Sequence, residues 1–336
     1  MTKVAFLEVR PFEEEYIKQT VPMTVDYDMY YQTINEINKD VLKDADIISV
    51  FTDSTINEES LKGLNSLKMV NTRSTGVDHI NTEYCKNNNI IVTNVPAYGQ
   101  RTVAEFAFGL LTDLIRKITI AYADLQKGEF DPDRTLGKNL AEKTLGIIGT
   151  GRIGCHMAKL ANAYEMKILA YDPNPKMDMV NKYGVQYISL DELLKNSDII
   201  TLHCPFTGKN YHMIDEEAFS KMKTGVLIIN AARGELIDTN ALLKALQSGK
   251  VAGAALDVLE SEKIIKREEE YALEPDRISQ KDLVNTIMNH ELLNMQNVII
   301  TPHIAYETIE SVYEILDVTM EDIKGYLNQN IVNKAA

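Results

Sequence analysis

Residues 145–154 read LGIIGTGRIG, an apolar run followed by three glycines, Gly149, Gly151 and Gly154, with the spacing G-x-G-x-x-G. Glycine loses more conformational freedom on folding than any other residue, so such a cluster indicates a backbone that turns tightly or approaches another group closely. The run before the glycines is typical of a buried strand, and CHMAKLANAY after them has helical spacing. The stretch therefore predicts a strand, a tight turn and a helix N-terminus, whose N–H groups can bind a phosphate.

The residues that follow this turn strengthen the interpretation. A second predicted strand, KILAY at 167–171, ends in Asp172, 18 residues after Gly154. Together these features form a dinucleotide-binding fingerprint, in which Gly149 makes the turn, Gly151 lets the pyrophosphate approach and Gly154 lets the helix pack on the strand. A carboxylate at Asp172 can bind ribose hydroxyls but would repel a 2′-phosphate, so we expect NAD rather than NADP.

Short β-branched runs recur along the chain between segments of helical period, which is typical of βαβ units and parallel sheets. These runs begin near residues 3, 46, 67 and 90 in the first half and near 144, 167, 198, 225, 252 and 297 in the second. The later strands are apolar nearly throughout, as expected where helices cover both faces of a sheet. A chain of 336 residues is long enough for two such domains.

Two segments between the strands carry further expectations. Residues 102–125 have a long helical apolar pattern without proline, which predicts one helix that crosses from one domain to the other. Residues 261–280 are more polar and predict a solvated loop and helix.

Composition excludes several classes of function. The formal net charge is −14, and no lysine- or arginine-rich tract offsets it, which argues against nucleic acid as a partner. No apolar run approaches the length of a membrane span, and the first residues do not resemble a signal peptide. The three cysteines have no metal-type spacing, so we expect no metal site and a reducing compartment, the cytoplasm. The expected partner is a small molecule.

The predicted strands of the second half end in ionisable residues, and ligands of open α/β sheets bind beyond those carboxyl ends. After Asp172 come His203, Arg233, Asp257 and His303, which we expect to share one site. Hydride transfer from a nicotinamide to a carbonyl needs a proton donor, and histidine suits that role. His203 and His303 are the candidates, because the other histidines fall within or beside helical patterns: His79, His156, His212 and His290.

Two further groups complete the expected chemistry. The guanidinium of Arg233 has the two-pronged geometry that binds the carboxylate of a 2-oxo acid. A carboxylate at the second nitrogen of the histidine would fix its tautomer and stabilise its charged form. Asp257, Glu260 and Glu262 are all candidates for this carboxylate, and spacing alone does not choose among them.

These motifs resemble those of the NAD-dependent D-isomer-specific 2-hydroxyacid dehydrogenases over nearly the whole chain. The resemblance rests on the glycine turn with Asp172 and on NTRSTGVDHI at 71–80, NVPAYGQRTVAEF at 94–106, INAARGELIDTNAL at 229–242, GAALDVLESE at 253–262 and NVIITPHIAYET at 297–308. It implies an α/β fold of two Rossmann/flavodoxin-like, doubly wound parallel-sheet domains with a cleft between them. Residues 1–99 and 301–336 would form a discontinuous substrate domain, and residues 100–300 the NAD-binding Rossmann domain, with a hinge at Gly99 and Pro302.

The resemblance also implies site residues. The catalytic set would be Arg233, which holds the substrate, His303, the proton donor, and Glu262, its carboxylate partner. The substrate-binding positions would be Thr75, Gly76, Tyr98, Phe51 and Tyr306. The cofactor-binding positions would be Gly149, Gly151, Arg152, Ile153, Gly154, Asp172, His203, Cys204, Asn210, Ala231, Ala232 and Asp257.

The long segment between Glu262 and His303 resembles the D-lactate dehydrogenase branch, and aromatic residues at Phe51 and Tyr306 suit a short or apolar substrate side chain. The resemblance thus implies reduction of pyruvate by NADH to D-lactate, in a homodimer. The alternatives are a bulkier branched, aromatic or dicarboxylic 2-oxo acid and an NAD-sensing binding protein of the corepressor type. The sequence departs from the family at Gly99-Gln100, where Ser-Pro is common, and at Glu307, where many relatives have tyrosine.

Overall fold

The computed structural model describes residues 1–273 and 278–335, except for the side chains of residues 270, 272 and 273. The chain divides into two compact units: unit 1 comprises Met1–Gly99 and Glu307–Ala336, and unit 2 comprises Gln100–Tyr306. The sequence-based expectation placed the second boundary at 300/301. Each unit contains its own parallel sheet flanked by helices, so the predicted class of two doubly wound α/β domains is confirmed.

Unit 1 contains a five-stranded sheet in the order β2-β1-β3-β4-β5, with every neighbouring pair parallel. Its strands are β1 (Thr2–Phe6), β2 (Val25–Met29), β3 (Ile47–Val50), β4 (Met69–Thr72) and β5 (Ile91–Thr93). Its helices are α1 (Pro11–Thr20), α2 (Glu58–Leu61), α3 (Thr82–Asn87) and, from the C-terminal segment, α14 (Ile309–Leu327), with a 3₁₀ helix at Lys39–Leu42.

Both faces of this sheet are buried, which explains why its central strands lack the alternation of a half-exposed sheet. The neighbouring residues Ile47 and Ile48 are both inaccessible to solvent but belong to opposite hydrophobic clusters. The cluster of Ile47 includes Leu316 and Ile323 of α14. Because helices and loops cover both faces, the carboxyl edge of the sheet is where the polar residues that follow each strand lie.

Unit 2 contains a seven-stranded parallel sheet in the order β12-β11-β10-β9-β6-β7-β8. Its strands are β6 (Thr144–Ile148), β7 (Lys167–Tyr171), β8 (Gln186–Tyr187), β9 (Ile199–Leu202), β10 (Val226–Asn230), β11 (Val251–Leu256) and β12 (Val298–Ile300). Its helices are α4 (Gln100–Arg116), α5 (Ile118–Gln126), α6 (Arg152–Ala163), α7 (Met177–Tyr183), α8 (Leu190–Asn196), α9 (Glu216–Lys221), α10 (Thr239–Gln247), α11 (Glu262–Lys266), α12 (Glu268–Leu273) and α13 (Gln280–Leu293), with a 3₁₀ helix at Gly234–Leu236.

The strand order of unit 2 has a topological switch between β6 and β9. From β6 the chain builds outward through β7 and β8, and it then returns to the other side of β6 to add β9 to β12. Open α/β sheets bind ligands at such a point, beyond the carboxyl ends of the strands. The glycine turn that begins at Gly149 follows β6 and lies at this switch.

The long helix predicted over 102–125 is wrong in two respects. It is two helices, α4 and α5, which meet at Lys117 in the left-handed region with φ of 54°. The carboxylate of Asp113 accepts the backbone N–H of Thr119 at 2.8 Å and so satisfies a donor in the first turn of α5. Both helices also lie within unit 2, whose first residue, Gln100, is the first residue of α4.

The polar segment 261–280 is largely helical in its described part: it supplies α11, α12 and the first residue of α13. Residues 274–277 lie outside the described residues. Within the described part of the chain, no helix has both the length and the apolar character needed to cross a membrane. Nor do the described residues contain a group of three or more histidine, cysteine, aspartate or glutamate side chains that could hold a metal ion.

Candidate active site

The glycine turn after β6 has the backbone geometry that its sequence predicts. Gly149 has φ of +93°, and a Cβ there would lie 2.6 Å from the backbone nitrogen of Cys204. A Cβ on Gly154 would lie 2.1 Å from the carbonyl oxygen of Gly149, so this position packs the start of α6 on the turn. A Cβ on Gly151, in contrast, would meet nothing within 4 Å. Open space therefore lies in front of Gly151, the residue that precedes α6.

Asp172 lies at the end of β7 and is fixed by three donors. Its Oδ2 accepts the backbone N–H and the hydroxyl of Thr150 at 2.6 and 3.0 Å, and its Oδ1 accepts the N–H of Asn174 at 2.8 Å. The hydroxyl of Tyr187 donates to Thr150 Oγ1 at 3.1 Å. Thr150 thus connects the glycine turn to Asp172, a role that the sequence analysis missed although Thr150 lies inside the glycine motif.

His203 and Cys204 follow β9, next to the glycine turn. The Nε2 atom of His203 lies 2.8 Å from Thr201 Oγ1, whereas its buried Nδ1 has no partner among the described residues. Burial lowers the pKa of His203 to about 4 and raises the pKa of Cys204 to about 11. Both side chains are therefore uncharged at neutral pH, and His203 is a poor candidate for the proton donor. Asn210 orders the loop beyond them, donating to the Pro205 carbonyl at 2.8 Å.

Arg233 lies in a turn that Asn230, the last residue of β10, holds at both ends. The Asn230 side chain donates to the Arg233 carbonyl at 2.9 Å and accepts the N–H of Ala232 at 3.0 Å. One guanidinium nitrogen of Arg233 donates to the carbonyl of Ala232 at 2.7 Å. Among the described residues no carboxylate pairs with this guanidinium, so its charge is available to an anionic ligand.

Gly234 brings the Arg233 turn against the segment that follows β11. A Cβ on Gly234 would lie 2.1 Å from the carbonyl carbon of Leu259 and 2.4 Å from the backbone nitrogen of Glu260. Only glycine permits this approach without a displacement of one backbone. The turn that carries Arg233 and the segment that leads to Glu262 are therefore packed in direct contact.

His303 follows β12, and its Nδ1 lies 2.7 Å from Oε1 of Glu262. Both side chains are about three-tenths exposed. Burial alone would raise the pKa of Glu262, but the hydrogen bond and the charge of His303 outweigh it and hold this pKa below its usual value. Glu262 is thus an ionised acceptor, and Nδ1 of His303 carries the proton that it accepts. Of the three candidates, Asp257, Glu260 and Glu262, it is Glu262 whose side chain contacts the imidazole of His303.

Backbone strain flanks this pair. Ser261 has φ of +56° and His303 has φ of +59°, a region that side chains other than glycine rarely occupy. Such conformations cost roughly 1–3 kcal/mol each and persist where the surroundings determine them. The surroundings of Ser261 include Asp282 of α13, whose carboxylate accepts the Ser261 hydroxyl at 2.6 Å.

Asp257 holds the turn that carries His303. Its side chain is buried, and its two oxygens accept the hydroxyl of Thr301 at 2.6 Å and the N–H groups of Ile304 and Ala305 at 3.0 and 2.9 Å. Burial raises the pKa of Asp257, while these three donors act in the opposite direction. The sequence analysis predicts Asp257 as a cofactor-binding position. In the structure both of its carboxylate oxygens accept hydrogen bonds from the chain itself, at residues 301–305.

Sequence reasoning named Glu260 as a candidate carboxylate but missed its burial and its contacts. Glu260 is 3% exposed; its Oε1 lies 2.9 Å from Nε2 of His212, and its Oε2 accepts the hydroxyl of Thr239 at 2.8 Å. His212 lies in a turn before α9, not in a helix, and its φ of 52° is in the left-handed region. His79 likewise lies in a turn, 3.0 Å from Thr72 Oγ1. Proximity along the chain gives no signal for such contacts, because Glu260 and His212 are 48 residues apart.

The substrate positions predicted in unit 1 lie after the strands of its sheet. Thr75 follows β4, and its hydroxyl donates to the carbonyl of Val95 at 2.8 Å. Gly76 accepts the Ser74 hydroxyl at 2.7 Å. Phe51 follows β3, and its N–H donates to Glu8 at 2.9 Å. Tyr98 follows β5 and is half-buried, and Tyr306, the last residue of unit 2, is also half-buried.

The two departures from the family pattern have structural correlates. Gly99 has φ of +59°, a left-handed conformation that favours glycine, and its N–H donates to Glu314 at 3.2 Å. Glu307 accepts a hydrogen bond from the guanidinium of Arg10 and pairs with it in unit 1.

Comparisons with known proteins indicate one family. Residues 108–305 match the family model described as D-isomer specific 2-hydroxyacid dehydrogenase, NAD binding domain. An aromatic 2-oxoacid reductase of Clostridium sporogenes is 39% identical over 84% of this chain and 83% of its own length. A D-lactate dehydrogenase of Lactiplantibacillus plantarum is 36% identical over 95% of this chain and 93% of its own length.

A solved structure shows the same similarity in three dimensions. The D-lactate dehydrogenase of Aquifex aeolicus, complexed with NAD and lactic acid, superimposes with a TM-score of 0.83 at 38% identity. The match covers 97% of this chain and 96% of that one.

Proposed function

The chain belongs to the D-isomer-specific 2-hydroxyacid dehydrogenase family, and on that premise we propose that it is a D-lactate dehydrogenase, which reduces pyruvate to D-lactate. As a member of this family it is an NAD-dependent oxidoreductase. The observation that carries the proposal is the contact between His303, which follows β12, and Glu262, which follows β11. Strand β11 lies between β12 and β10, the strand that leads to Arg233.

The residues around the glycine turn suit NAD. The space in front of Gly151 and the N-terminus of α6 can accept a pyrophosphate, since a Cβ at Gly151 would meet nothing within 4 Å. Asp172 presents a carboxylate at the end of β7, where it can bind ribose hydroxyls. The Nδ1 atom of His203, for which the described residues supply no hydrogen-bond partner, offers a further polar contact to a ligand. When bound, NADH supplies the hydride that reduces the substrate carbonyl.

The three catalytic residues then have distinct tasks. Arg233 binds the carboxylate of the 2-oxo acid and orients its carbonyl, since its guanidinium has no carboxylate partner among the described residues. His303 donates a proton from Nε2 to the carbonyl oxygen as negative charge develops there. Glu262 accepts Nδ1–H at 2.7 Å, which fixes the tautomer that presents Nε2 and stabilises the imidazolium before transfer.

We extend the proposal to the substrate-binding positions. Backbone N–H groups of Thr75 and Gly76 would bind the substrate carboxylate, as in the family that the chain belongs to. Phe51 and Tyr306 would contact the substrate side chain, and Tyr98 would form part of the pocket wall. Two aromatic neighbours and no basic residue suit the methyl group of pyruvate and disfavour a second carboxylate.

A panel of 2-oxo acids tests the proposal. NADH oxidation is measured with pyruvate, 2-oxobutyrate, 2-oxoisocaproate, phenylpyruvate and 2-oxoglutarate, and the chirality of the product is determined. We expect the highest kcat/KM with pyruvate and a D-configured product. An absence of turnover on all five acids, or an L-configured product, would contradict the proposal.

A second candidate is reduction of an aromatic 2-oxo acid. It is favoured by the 39% identity to the aromatic 2-oxoacid reductase of Clostridium sporogenes. A higher kcat/KM with phenylpyruvate than with pyruvate in the same panel would select it.

We further propose that the protein is a homodimer that works in the cytoplasm. Large apolar side chains along α5 and the segment after it are exposed, among them Tyr122, Phe130 and Leu136. A second copy would cover this surface. The free thiols of Cys85, Cys155 and Cys204 suit a reducing compartment. Light scattering coupled to gel filtration gives the oligomeric state, and a monomer at micromolar concentration would contradict the dimer.

A further inference from the structure

Glu8, in the turn after β1, makes an unusual set of contacts with the segment that carries Phe51. Its Oε2 accepts the backbone N–H of Phe51 at 2.9 Å and the hydroxyl of Ser54 at 2.5 Å. Its Oε1 accepts the backbone N–H of Asp53 at 2.9 Å. One carboxylate thus binds three donors within four consecutive residues, 51–54.

The backbone of Glu8 is itself held in place. Glu8 has φ of +54°, in the left-handed region. The buried guanidinium of Arg73 donates to the carbonyls of Leu7 and Glu8 at 2.7 and 2.9 Å, and the N–H of Glu8 donates to the carbonyl of Gln32 at 3.1 Å. Arg73 is 2% exposed, so this anchor lies inside the unit. The direction of the Glu8 side chain is therefore set by contacts on both sides of its α-carbon.

Ser54 links the Glu8 carboxylate to the interior of unit 1. It is fully buried, and its hydroxyl accepts the N–H of Ile34 at 3.0 Å while donating to Glu8. Asn35 accepts the N–H of the next residue, Thr55, at 2.8 Å. The segment is therefore fixed by Glu8 over residues 51–54 and by Asn35 at its far end.

We propose that Glu8 is a positioning residue for substrate choice: by holding residues 51–54 it sets the place of the Phe51 ring, which limits the side chain of the 2-oxo acid. This inference rests on the proposed function, in which Phe51 is a neighbour of the substrate side chain. Glu8 does not contact the reacting atoms in this account and acts through Phe51.

The physical basis is the cost of leaving donors without an acceptor. In Glu8→Ala, two backbone N–H groups and the hydroxyl of the buried Ser54 lose their acceptor, so the segment must shift to find other partners. In Glu8→Gln, the amide oxygen can still accept a hydrogen bond, but the NH₂ group, itself a donor, faces the donors of residues 51–54. A shifted segment moves the Phe51 ring, and discrimination between small and large substrate side chains decreases.

The test compares Glu8→Ala and Glu8→Gln with the unaltered protein and with a control, Glu15→Ala. Glu15 is an exposed residue of α1. In the described part of the chain its side chain accepts one hydrogen bond, from the Gln19 amide at 2.8 Å. The kcat/KM values are measured for pyruvate, 2-oxobutyrate, 2-oxoisocaproate and phenylpyruvate. The readout is the ratio of the highest to the lowest value in this series.

We expect this ratio to decrease at least about tenfold in Glu8→Ala and less in Glu8→Gln, the scale of a lost charge-assisted hydrogen bond. The change should be mainly in KM, because Glu8 does not touch the reacting atoms. The control should keep the original ratio. An unaltered ratio in a folded Glu8 variant would overturn the inference.

A double-mutant cycle separates positioning from a general structural effect. If Glu8 acts through Phe51, then Glu8→Ala adds no further change in the ratio when Phe51 is already alanine. Independent, multiplicative effects of the two substitutions would overturn the inference. Thermal unfolding verifies that each variant is folded at the assay temperature, and Glu8→Gln carries the test if Glu8→Ala is not. Failure of the proposed function shows differently, as no turnover by the unaltered protein on any of the four acids.

Discussion

Replacing Glu262 by glutamine is expected to move the alkaline limb of the pH–rate profile of 2-oxo acid reduction to lower pH. The Glu262 carboxylate accepts Nδ1–H of His303 at 2.7 Å, and both side chains are mostly buried. Glutamine can still accept this hydrogen bond through its amide oxygen, so the tautomer of the imidazole is preserved. What is removed is the negative charge that favours the protonated ring.

The magnitude follows from this geometry. A hydrogen bond to a charged group contributes about 1.5–3 kcal/mol and one between neutral groups about 0.5–1.5 kcal/mol, so removal of the charge alone costs about 1–1.5 kcal/mol. One pH unit of displacement corresponds to about 1.4 kcal/mol, so the expected displacement is roughly one pH unit. Because its pKa lies below the usual value, Glu262 stays ionised at neutral and alkaline pH, and its stabilising effect is lost only as pH falls through that lowered pKa.

The assay is kcat/KM for the best 2-oxo acid as a function of pH, in the unaltered protein and in Glu262→Gln. Glu268→Gln is a matched control, because Glu268 Oε1 lies 2.6 Å from Nε2 of His290 in a more exposed pair. The control should keep the original profile. A Glu262→Gln profile that is lower at every pH but has the same alkaline midpoint would refute the reasoning.

Three further predictions concern other parts of the molecule. Asp172→Ala should raise the Kd of NADH at least about tenfold and change that of NADPH less, because a charge-assisted contact to the ribose is lost; fluorescence titration measures both, and equal losses would contradict it. Gly234→Ala places a Cβ 2.1 Å from the backbone of Leu259 and should lower kcat/KM at least about tenfold, since packed backbones must separate; unaltered kinetics would contradict it. Burial raises the pKa of Asp322 to about 6 from 3.8, so the native state binds more protons than the unfolded state in this window. The free energy of unfolding should therefore fall by up to about 3 kcal/mol as pH rises through the window, and Asp322→Asn should not show this decrease. Urea unfolding at pH 4 and pH 7 measures it, and an equal change in the unaltered protein and in Asp322→Asn would contradict the prediction.

Much of the fold follows from patterns that act locally. A strand buried on both faces must be apolar, and the glycine turn after β6 requires residues without a Cβ, so both leave a signal in the sequence. β2 leaves a weaker signal, because this edge strand is only five residues long and alternates apolar residues with Asp26 and Asp28 instead of being apolar throughout. The break between α4 and α5 depends on the left-handed conformation of Lys117, and the segment contains no glycine or asparagine at this position that would predict it.

The site is predictable to the extent that topology determines it. Parallel strands bring their carboxyl ends to one edge, so the sequence predicts that Arg233 and His303 lie at the same edge of the sheet. The partner of His303 could not be chosen by spacing, because Glu262 lies 41 residues earlier and Glu260 is almost as near in sequence. The contacts of Glu8 with residues 51–54 likewise join segments more than 40 residues apart, and only the folded chain brings them together.

The most direct test of the central claim compares His303→Gln with His290→Gln, a histidine that also pairs with a glutamate but lies in α13. The measurement is kcat for NADH oxidation with pyruvate, together with NADH affinity by fluorescence. We expect His303→Gln to lose at least about 10² in kcat, the contribution of a positioned general acid, with NADH affinity retained and His290→Gln unaffected. A His303→Gln protein that turns over pyruvate at the original rate would contradict the account.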